Sequence, residues 1–401
     1  MIPEKLKEIT ADLRNEPWIQ EMARNAEIYV VGGSVRDAYL DKPMKDIDLI
    51  VDGLSIDGIL KILKKYGRAN LEGESFSIIK FKPTGYEGED YDVAVPREDR
   101  KIGKGHKGFE VVTDGVDVHG DLKRRDFTLN SMAVNVMDDK MLDPFNGLAD
   151  LKKGVLKATD EKAFAEDPLR ILRGIQFAAR FGFDIHPNTM KLMQEYAPEI
   201  KEITGERIHS EFEKILNKGG DTQLALNLIH KSGVDEALFD EKMLHYEKGF
   251  EYLDPVSFYY MLGLVGNQDP VEFYKRRLKG NNENAVAIQV LDKFLAKWMG
   301  WDDTERKYEV MKAIKKIPRL DDIILLPEEA SDIITDMRTT KIPMEQSDVL
   351  INGDELQEIF KIPKGQRIGE ILKQVTMDAL ENKFNWKDKQ ATMQYVADLL
   401  I

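Results

Sequence analysis

Residues 27–53 read EIYVVGGSVRDAYLDKPMKDIDLIVDG, and this stretch decides what the N-terminal part of the chain folds into. A β-branched run, Ile28 to Val31, enters Gly32-Gly33, the pattern of a buried strand running into a tight turn. Helical spacing then starts at once with Val35, Ala38 and Tyr39. A helix start behind a glycine turn offers free N–H groups and a positive dipole end to an anion, and the glycines let a ligand approach closely. Arg36 adds a charge. Taken alone, so short a glycine motif marks only a tight turn. Asp46-Ile47-Asp48 opens a second strand. Residues two apart on a strand share a face, so both carboxylates project together and Ile47 points the other way. Paired carboxylates repel unless a divalent cation sits beside them, and Mg²⁺ is commonly held by one or two carboxylates plus substrate phosphates. An isolated Asp-x-Asp is also at home on a solvated edge. A phosphate cradle followed by paired carboxylates on the next strand is a layout for nucleotidyl transfer.

Further strands are expected at SFSIIKFKP (75–83), DYDVAVPR (90–97) and NSMAVNVM (130–137). A third carboxylate comes from Asp90 or Asp92. Asp92 is preferred, because Tyr91 and Val93 alternate toward a core. LSIDGILKILKKYG (54–67) reads as an amphipathic helix closed by Gly67, and EDRKIGKGHKGFEV (98–111) as a glycine- and charge-rich loop. Lys123-Arg124-Arg125-Asp126-Phe127-Thr128-Leu129-Asn130 sets basic groups beside an Asp and an Asn, which suits phosphates next to a sugar hydroxyl. The same run also fits a solvated basic turn. In Glu166-Asp167-Pro168-Leu169-Arg170-Ile171-Leu172-Arg173, Pro168 suits a first helical turn with Asp167 near the N-cap. Asp167 and Arg170 are three apart and share one face, either as a helix-stabilising pair or as an acceptor and donor for a base edge.

From about residue 150 onward the periodicity is helical almost throughout. The chain of 401 residues is 42% apolar and 32% charged, ordinary for a globular protein. It has no cysteine, which excludes disulfides and thiolate chemistry, and its six histidines form no close ligand pair. No apolar run approaches the ~20 residues of a membrane-spanning helix. The N-terminus, MIPEKLKEIT, lacks the layout of a secretory signal, so a cytoplasmic location is expected. A net charge of −14 argues against indiscriminate nucleic-acid binding but leaves room for local basic patches such as Lys275 to Lys279 and Lys312 to Arg319.

In this order, the motifs resemble the class II tRNA nucleotidyltransferase (CCA-adding enzyme) and bacterial poly(A) polymerase family. GGSVRD with DID resembles its motif A, KRRDFTLN its motif B, AEDPLRILRGIQFAARFGF its motif D and TGERIHSEFEKIL (204–216) its motif E. DPFNGLADL (143–151) matches the segment between B and D, and DVLINGDELQEIFKIPKGQRIG (348–369) a tail segment. The resemblance implies an α+β fold: a polymerase-β-like nucleotidyltransferase head with a mixed sheet over 1–150, then a helical neck over 151–220, body over 221–340 and tail over 341–401.

It also implies roles. Asp46 and Asp48 would bind two Mg²⁺, with Asp92 as a third catalytic carboxylate. Gly32, Gly33, Ser34 and Arg36 would hold the triphosphate, and Arg124, Arg125, Asp126 and Asn130 the ribose and phosphates. Asp167 and Arg170 would read the base of CTP or ATP, with Glu166 orienting Arg170, and Arg173 would add a phosphate contact. The expected partners are the tRNA 3′ end, CTP and ATP, with no membrane and no obligate protein partner. The expected reaction is untemplated addition of C, C and A. CC-only addition, A-only addition, poly(A) addition and an inactive RNA-binding relative are the alternatives. GRANLEGESF (67–76) lacks the basic pair before Phe that marks poly(A) polymerases, and no phosphohydrolase extension is expected. The loop at 98–111 falls where CCA-adding members carry a flexible loop.

Overall fold

The computed structural model describes residues 2–44, 47–72, 78–101, 109–240 and 251–401. Asp46 therefore lies outside the described residues. The chain divides into two compact units, Met1–Lys242 and Met243–Ile401.

The first unit begins with helices α1 (Glu4–Asn15) and α2 (Pro17–Met22). The strands that follow are β1 (Glu27–Val31), β2 (Asp48–Asp52), β3 (Gly67–Glu72), β4 (Ile78–Pro83), β5 (Tyr91–Ala94), β6 (Glu98–Lys101), β7 (Phe109–Val112), β8 (Ala133–Asn135) and β9 (Met141–Leu142). Seven of them make one mixed sheet in the order β3-β4-β5-β2-β1-β8-β9. β1 runs antiparallel to β2 and β8, and β2 runs parallel to β5. Helix α3 (Gly33–Tyr39) leaves β1 directly, α4 (Ile56–Leu63) follows β2, and α5 (Val118–Lys123) precedes β8.

Both faces of β1 are covered, which is why its sequence is a continuous apolar run rather than an alternating one. On one face Tyr29 and Val31 pack with Ile50 of β2 and with Val118 and Leu122 of α5. Toward β4 and β5, the buried indole of Trp18 on α2 sits 4.9 Å from the Phe81 ring and 5.4 Å from Tyr91. The expected burial of Tyr91 and Val93 is seen, so Asp92 faces the other side of β5.

Two local readings differ from the structure. α4 ends at Leu63, and Gly67, read as its cap, instead opens β3, which pairs with β4 from Gly67↔Pro83 to Glu72↔Ile78. Only Ala69 of β3 is buried, so this edge strand has no apolar alternation to read. Its Gly67 is required by proximity, since a Cβ there would stand 2.1 Å from the Lys82 carbonyl oxygen. The stretch read as a loop at 98–111 contributes the hairpin β6–β7, whose partners run from Glu98↔Val112 to Lys101↔Phe109. Residues 102–108 are outside the described residues.

After β9 the first unit is mostly helical: α6 (Gly147–Lys153), α7 (Glu161–Glu166), α8 (Leu169–Phe181), α9 (Pro187–Tyr196), α10 (Gly205–Asn217), α11 (Thr222–Ser232) and α12 (Val234–Phe239). Val155–Leu156 and Asp184–Ile185 add a short parallel pair. Phe127, fully buried, ties α7 to α8, edge-on to Phe164 at 6.0 Å and to Phe177 at 5.9 Å. In the second unit the described residues are helical without strands, and Val349, Leu356, Val375 and Val396 belong to one apolar core.

Trp18→Ala should destabilise the protein by about 3–5 kcal/mol, since it opens a cavity under the sheet. Trp18→Phe should cost clearly less. Urea denaturation followed by circular dichroism measures both.

Candidate active site

The turn between β1 and α3 is built on Gly32, whose φ of +66° and ψ of −122° only glycine adopts readily. Its N–H donates to the Met132 carbonyl at 3.0 Å, and a Cβ here would stand 2.3 Å from Arg125 Nη1. On α3, Ser34 and Arg36 are buried. The Arg36 guanidinium donates to Asp37 at 2.8 Å and to Asn130 Oδ1 at 2.5 Å, and lies 5.2 Å from the Phe177 ring centre. So Arg36 is held by the fold on several sides while still reaching the site.

The β2 residues Asp48, Ile50 and Asp52 share one face. Asp52 Oδ2 accepts the Val118 N–H at 2.9 Å and anchors the start of α5. Ile50 packs beneath that helix. Asp48 is left at the open end. Asp92 is its register partner on the neighbouring parallel strand, so the two carboxylates emerge on one face. Lys80 Nζ is 2.5 Å from Asp92 and compensates its charge. Asp90 instead faces Arg68 at 3.5 Å. Carboxylate oxygens on a strand end are a donor set that fits a hard divalent cation such as Mg²⁺. Among the described residues no cluster of three acidic or imidazole groups forms a complete cage.

At the far end of α5 the fully buried Asp121 binds two arginines at once. Arg124 Nη2 is 2.7 Å from one carboxylate oxygen and Arg125 Nη2 3.0 Å from the other. Burial pushes the Asp121 carboxyl up, but Arg125 and Arg124 outweigh it and hold it below its ordinary value. Asp126 is likewise buried. One oxygen accepts the Asn130 amide at 2.9 Å and the Phe127 N–H at 2.8 Å, and the other accepts Arg173 Nε at 2.7 Å. Burial raises its carboxyl, and Arg173, Asn130 and Arg170 together bring it down to about 2.

Asp167 sits in extended backbone between α7 and α8, with Pro168 leading into α8 as expected. Its Oδ1 accepts the Leu169 N–H at 3.1 Å. The (i, i+3) pairing of Asp167 with Arg170 is not formed. Arg207, on the first turn of α10, donates to Asp167 Oδ2 at 3.2 Å, while Arg170 Nη2 turns to the Arg124 carbonyl at 2.6 Å. Arg170 Nη1 is buried and has no hydrogen-bond partner among the described residues.

These side chains line one cavity of about 550 Å³. It gathers Gly33, Arg36, Asp48, Arg124, Arg125, Asp126, Asn130, Asp167, Arg170 and Arg173. Gly32 supports it from the turn, and Ser34 and Asp92 lie outside the lining. Its described lining carries six guanidiniums against three carboxylates, although the whole chain has a net charge of −14. Such a pocket selects a polyanion. Sequence reasoning missed Arg207, Phe177 and Asp121. The Asp121 role was visible as helical (i, i+3) and (i, i+4) spacing to Arg124 and Arg125, whereas no local pattern ties Arg207 to Asp167.

Residues 28–157 match the family described as "Poly A polymerase head domain" and residues 182–246 the family described as "Probable RNA and SrmB- binding site of polymerase A". The chain is 42% identical over 188 residues to the Multifunctional CCA protein of Nitrosomonas europaea, covering 46% of this chain and 43% of that protein. The Multifunctional CCA protein of Neisseria gonorrhoeae is 37% identical over 218 residues, 54% of this chain and 50% of that one. The chain thus spans about half the length of the curated relatives it matches. The fold is that of the Bacillus stearothermophilus CCA-adding enzyme, solved in complex with CTP: TM-score 0.71, 20% identity, 96% of this chain and 98% of that one. The Thermotoga maritima CCA-adding enzyme, solved with tRNA, aligns over 100% of this chain and 97% of its own with a TM-score of 0.67 and 23% identity.

Gly32→Ala should destabilise the fold, since the new Cβ displaces Arg125 and the residue must keep a positive φ. Urea denaturation followed by circular dichroism reads the loss. A depressed Asp126 stabilises the fold above the unfolded-state value of about 3.9, a contribution lost as pH falls toward about 2. Urea midpoints taken across that window should fall steeply for the wild type. Asp126→Asn should be less stable at neutral pH and show a shallower fall.

Proposed function

We propose that this chain, which belongs to the tRNA nucleotidyltransferase and bacterial poly(A) polymerase family through its head domain, is a CCA-adding enzyme. It would extend the tRNA 3′ end with C, C and A from CTP and ATP, releasing pyrophosphate. The observation that carries this reading is the arginine-lined cavity, in which Gly33 of the β1–α3 turn, the strand-end Asp48, Asp167 and Arg170 meet.

The geometry supports a division of labour. The β1–α3 turn, with Gly32, Gly33 and Ser34, would cradle phosphates. Arg124, Arg125 and Arg173 would face the triphosphate and ribose. They are aimed before substrate arrives, because Asp121 and Asp126 hold them from behind. Donors fixed in place meet developing charge without reorganising, which is where electrostatic catalysis is strongest. Arg36 and Asn130 join the cradle to this network.

Base choice falls to Asp167 and Arg170. Cytosine and adenine both present an amino donor beside a ring-nitrogen acceptor. A carboxylate beside a guanidinium complements that order, whereas uracil and guanine present the reverse. Asp46 and Asp48 would hold two Mg²⁺, with Asp92 in support. Bound there, the ions would supply Lewis-acid activation of the RNA 3′-hydroxyl and charge neutralisation at the leaving group.

The division into head, neck, body and tail at 150, 220 and 340 belongs to the same reading. The apolar core shared by residues from Val349 to Val396 supports a separate tail. No described helix is long and apolar enough to cross a membrane. Exposed Lys275, Arg276 and Lys279 are the proposed contacts to the tRNA backbone.

The test is direct. Supply Mg²⁺ and tRNA lacking its 3′ end, or ending in C or CC, with CTP, ATP or both, and sequence the products. The expected product is tRNA ending in CCA. Stopping after CC, adding only A, or running on with A assigns the matching relative, and binding without incorporation assigns an RNA-binding protein. Asp48→Ala should abolish incorporation by at least about a thousandfold, the scale of losing a charge-stabilising group at the reacting centre. Charge reversal of Lys275, Arg276 and Lys279 should raise KM for tRNA with little change in kcat.

A further inference from the structure

We propose that Arg207 is a positioning residue that sets nucleobase selectivity by keeping Asp167 and Arg170 apart. This rests on the reading that those two side chains recognise the base.

Asp167 has extended backbone, φ −126° and ψ 102°, and belongs to no helix. Its carboxylate is therefore aimed by what it touches. One oxygen takes the Leu169 N–H at 3.1 Å, and Arg207 Nη2 reaches both oxygens, at 3.2 and 3.5 Å. Arg207 stands on a rigid base. α10 packs through Ile208, Phe212 and Ile215, all essentially inaccessible to solvent, and its guanidinium opens into the same cavity as Asp167.

Arg170 shows what Arg207 prevents. It lies three residues beyond Asp167, the spacing at which a carboxylate and a guanidinium ordinarily pair. Yet it spends Nη2 on the Arg124 carbonyl and leaves Nη1 buried without a partner among the described residues. A buried unpaired donor costs free energy, so Arg170 would turn onto Asp167 if the carboxylate were free to receive it. The pair would then satisfy itself and present neither acceptor nor donor to a base. By occupying Asp167 from the α10 side, Arg207 preserves a separate acceptor and a waiting donor. The base edge completes the set. Asp167 takes the amino group and Arg170 Nη1 gives to the ring nitrogen.

The test compares single-nucleotide incorporation of CTP, ATP, UTP and GTP by wild type, R207Q, R207K and Asp167→Asn. R207Q should lower the ratio of kcat/KM for CTP over UTP by about tenfold or more, within the range that a paired hydrogen-bond contact supplies. The loss should come mainly from raised KM for CTP and ATP, and KM for tRNA should stay unchanged. R207K, which keeps a charge within reach of Asp167, should recover part of the discrimination. Thermal denaturation identifies which variants are folded, and if R207Q is not, R207K carries the comparison. A uniform loss for all four nucleotides would make Arg207 a phosphate contact and overturn the proposal. Unchanged discrimination in the Arg207 variants, with discrimination lost in Asp167→Asn, would also overturn it while leaving the base-reading pair intact. Unchanged discrimination in Asp167→Asn would remove the reading on which it rests.

Discussion

A single buried carboxylate ties the segment that leads from α5 into β8 to helix α8. Asp126 follows α5 and binds Asn130, just ahead of β8, with one oxygen and Arg173 of α8 with the other. Asn130 in turn holds Arg36 of α3. Three elements that border the cavity are therefore registered through one group. A charge this deeply buried persists only because arginines and an amide surround it. Removing any partner leaves an uncompensated charge, so the network stands or fails together.

The same economy governs the rest of the site. Asp121 is the second such anchor, spreading Arg124 and Arg125 into a fan. Asp52 anchors the N-terminal end of α5, the helix that leads into them, on the strand face that also presents Asp48. The arginines are thus organised by acids, of which Asp121 and Asp52 lie outside the cavity lining and Asp126 lies at its buried edge. This reconciles an acidic chain with an electropositive cavity. The positive side chains converge on the pocket, while the carboxylates that balance them are buried or turned aside.

Much of this was legible in the sequence because the motifs are local. A strand, two glycines and a helix start within a dozen residues need no tertiary knowledge, and neither does the two-residue spacing of Asp46 and Asp48. The alternation around Tyr91 and Val93 correctly turned Asp92 to the opposite face. What was not legible depends on distance along the chain or on competition. The edge strand β3 is exposed on nearly every residue, so its partner rather than its pattern makes it a strand. Arg170 has two acceptors within reach, and spacing alone favours the one it does not choose. Arg207 meets Asp167 across 40 residues, through a helix packing that no motif encodes.

On the proposed reading the protein itself, before RNA arrives, presents in Asp167 and Arg170 a fixed acceptor and donor for cytosine or adenine in one cavity. Isothermal titration of CTP, ATP, UTP and GTP into the tRNA-free protein with Mg²⁺ tests it most directly. CTP and ATP should bind, displace one another from a single site, and outcompete UTP and GTP. Equal binding of all four nucleotides, or simultaneous binding of CTP and ATP, would contradict it.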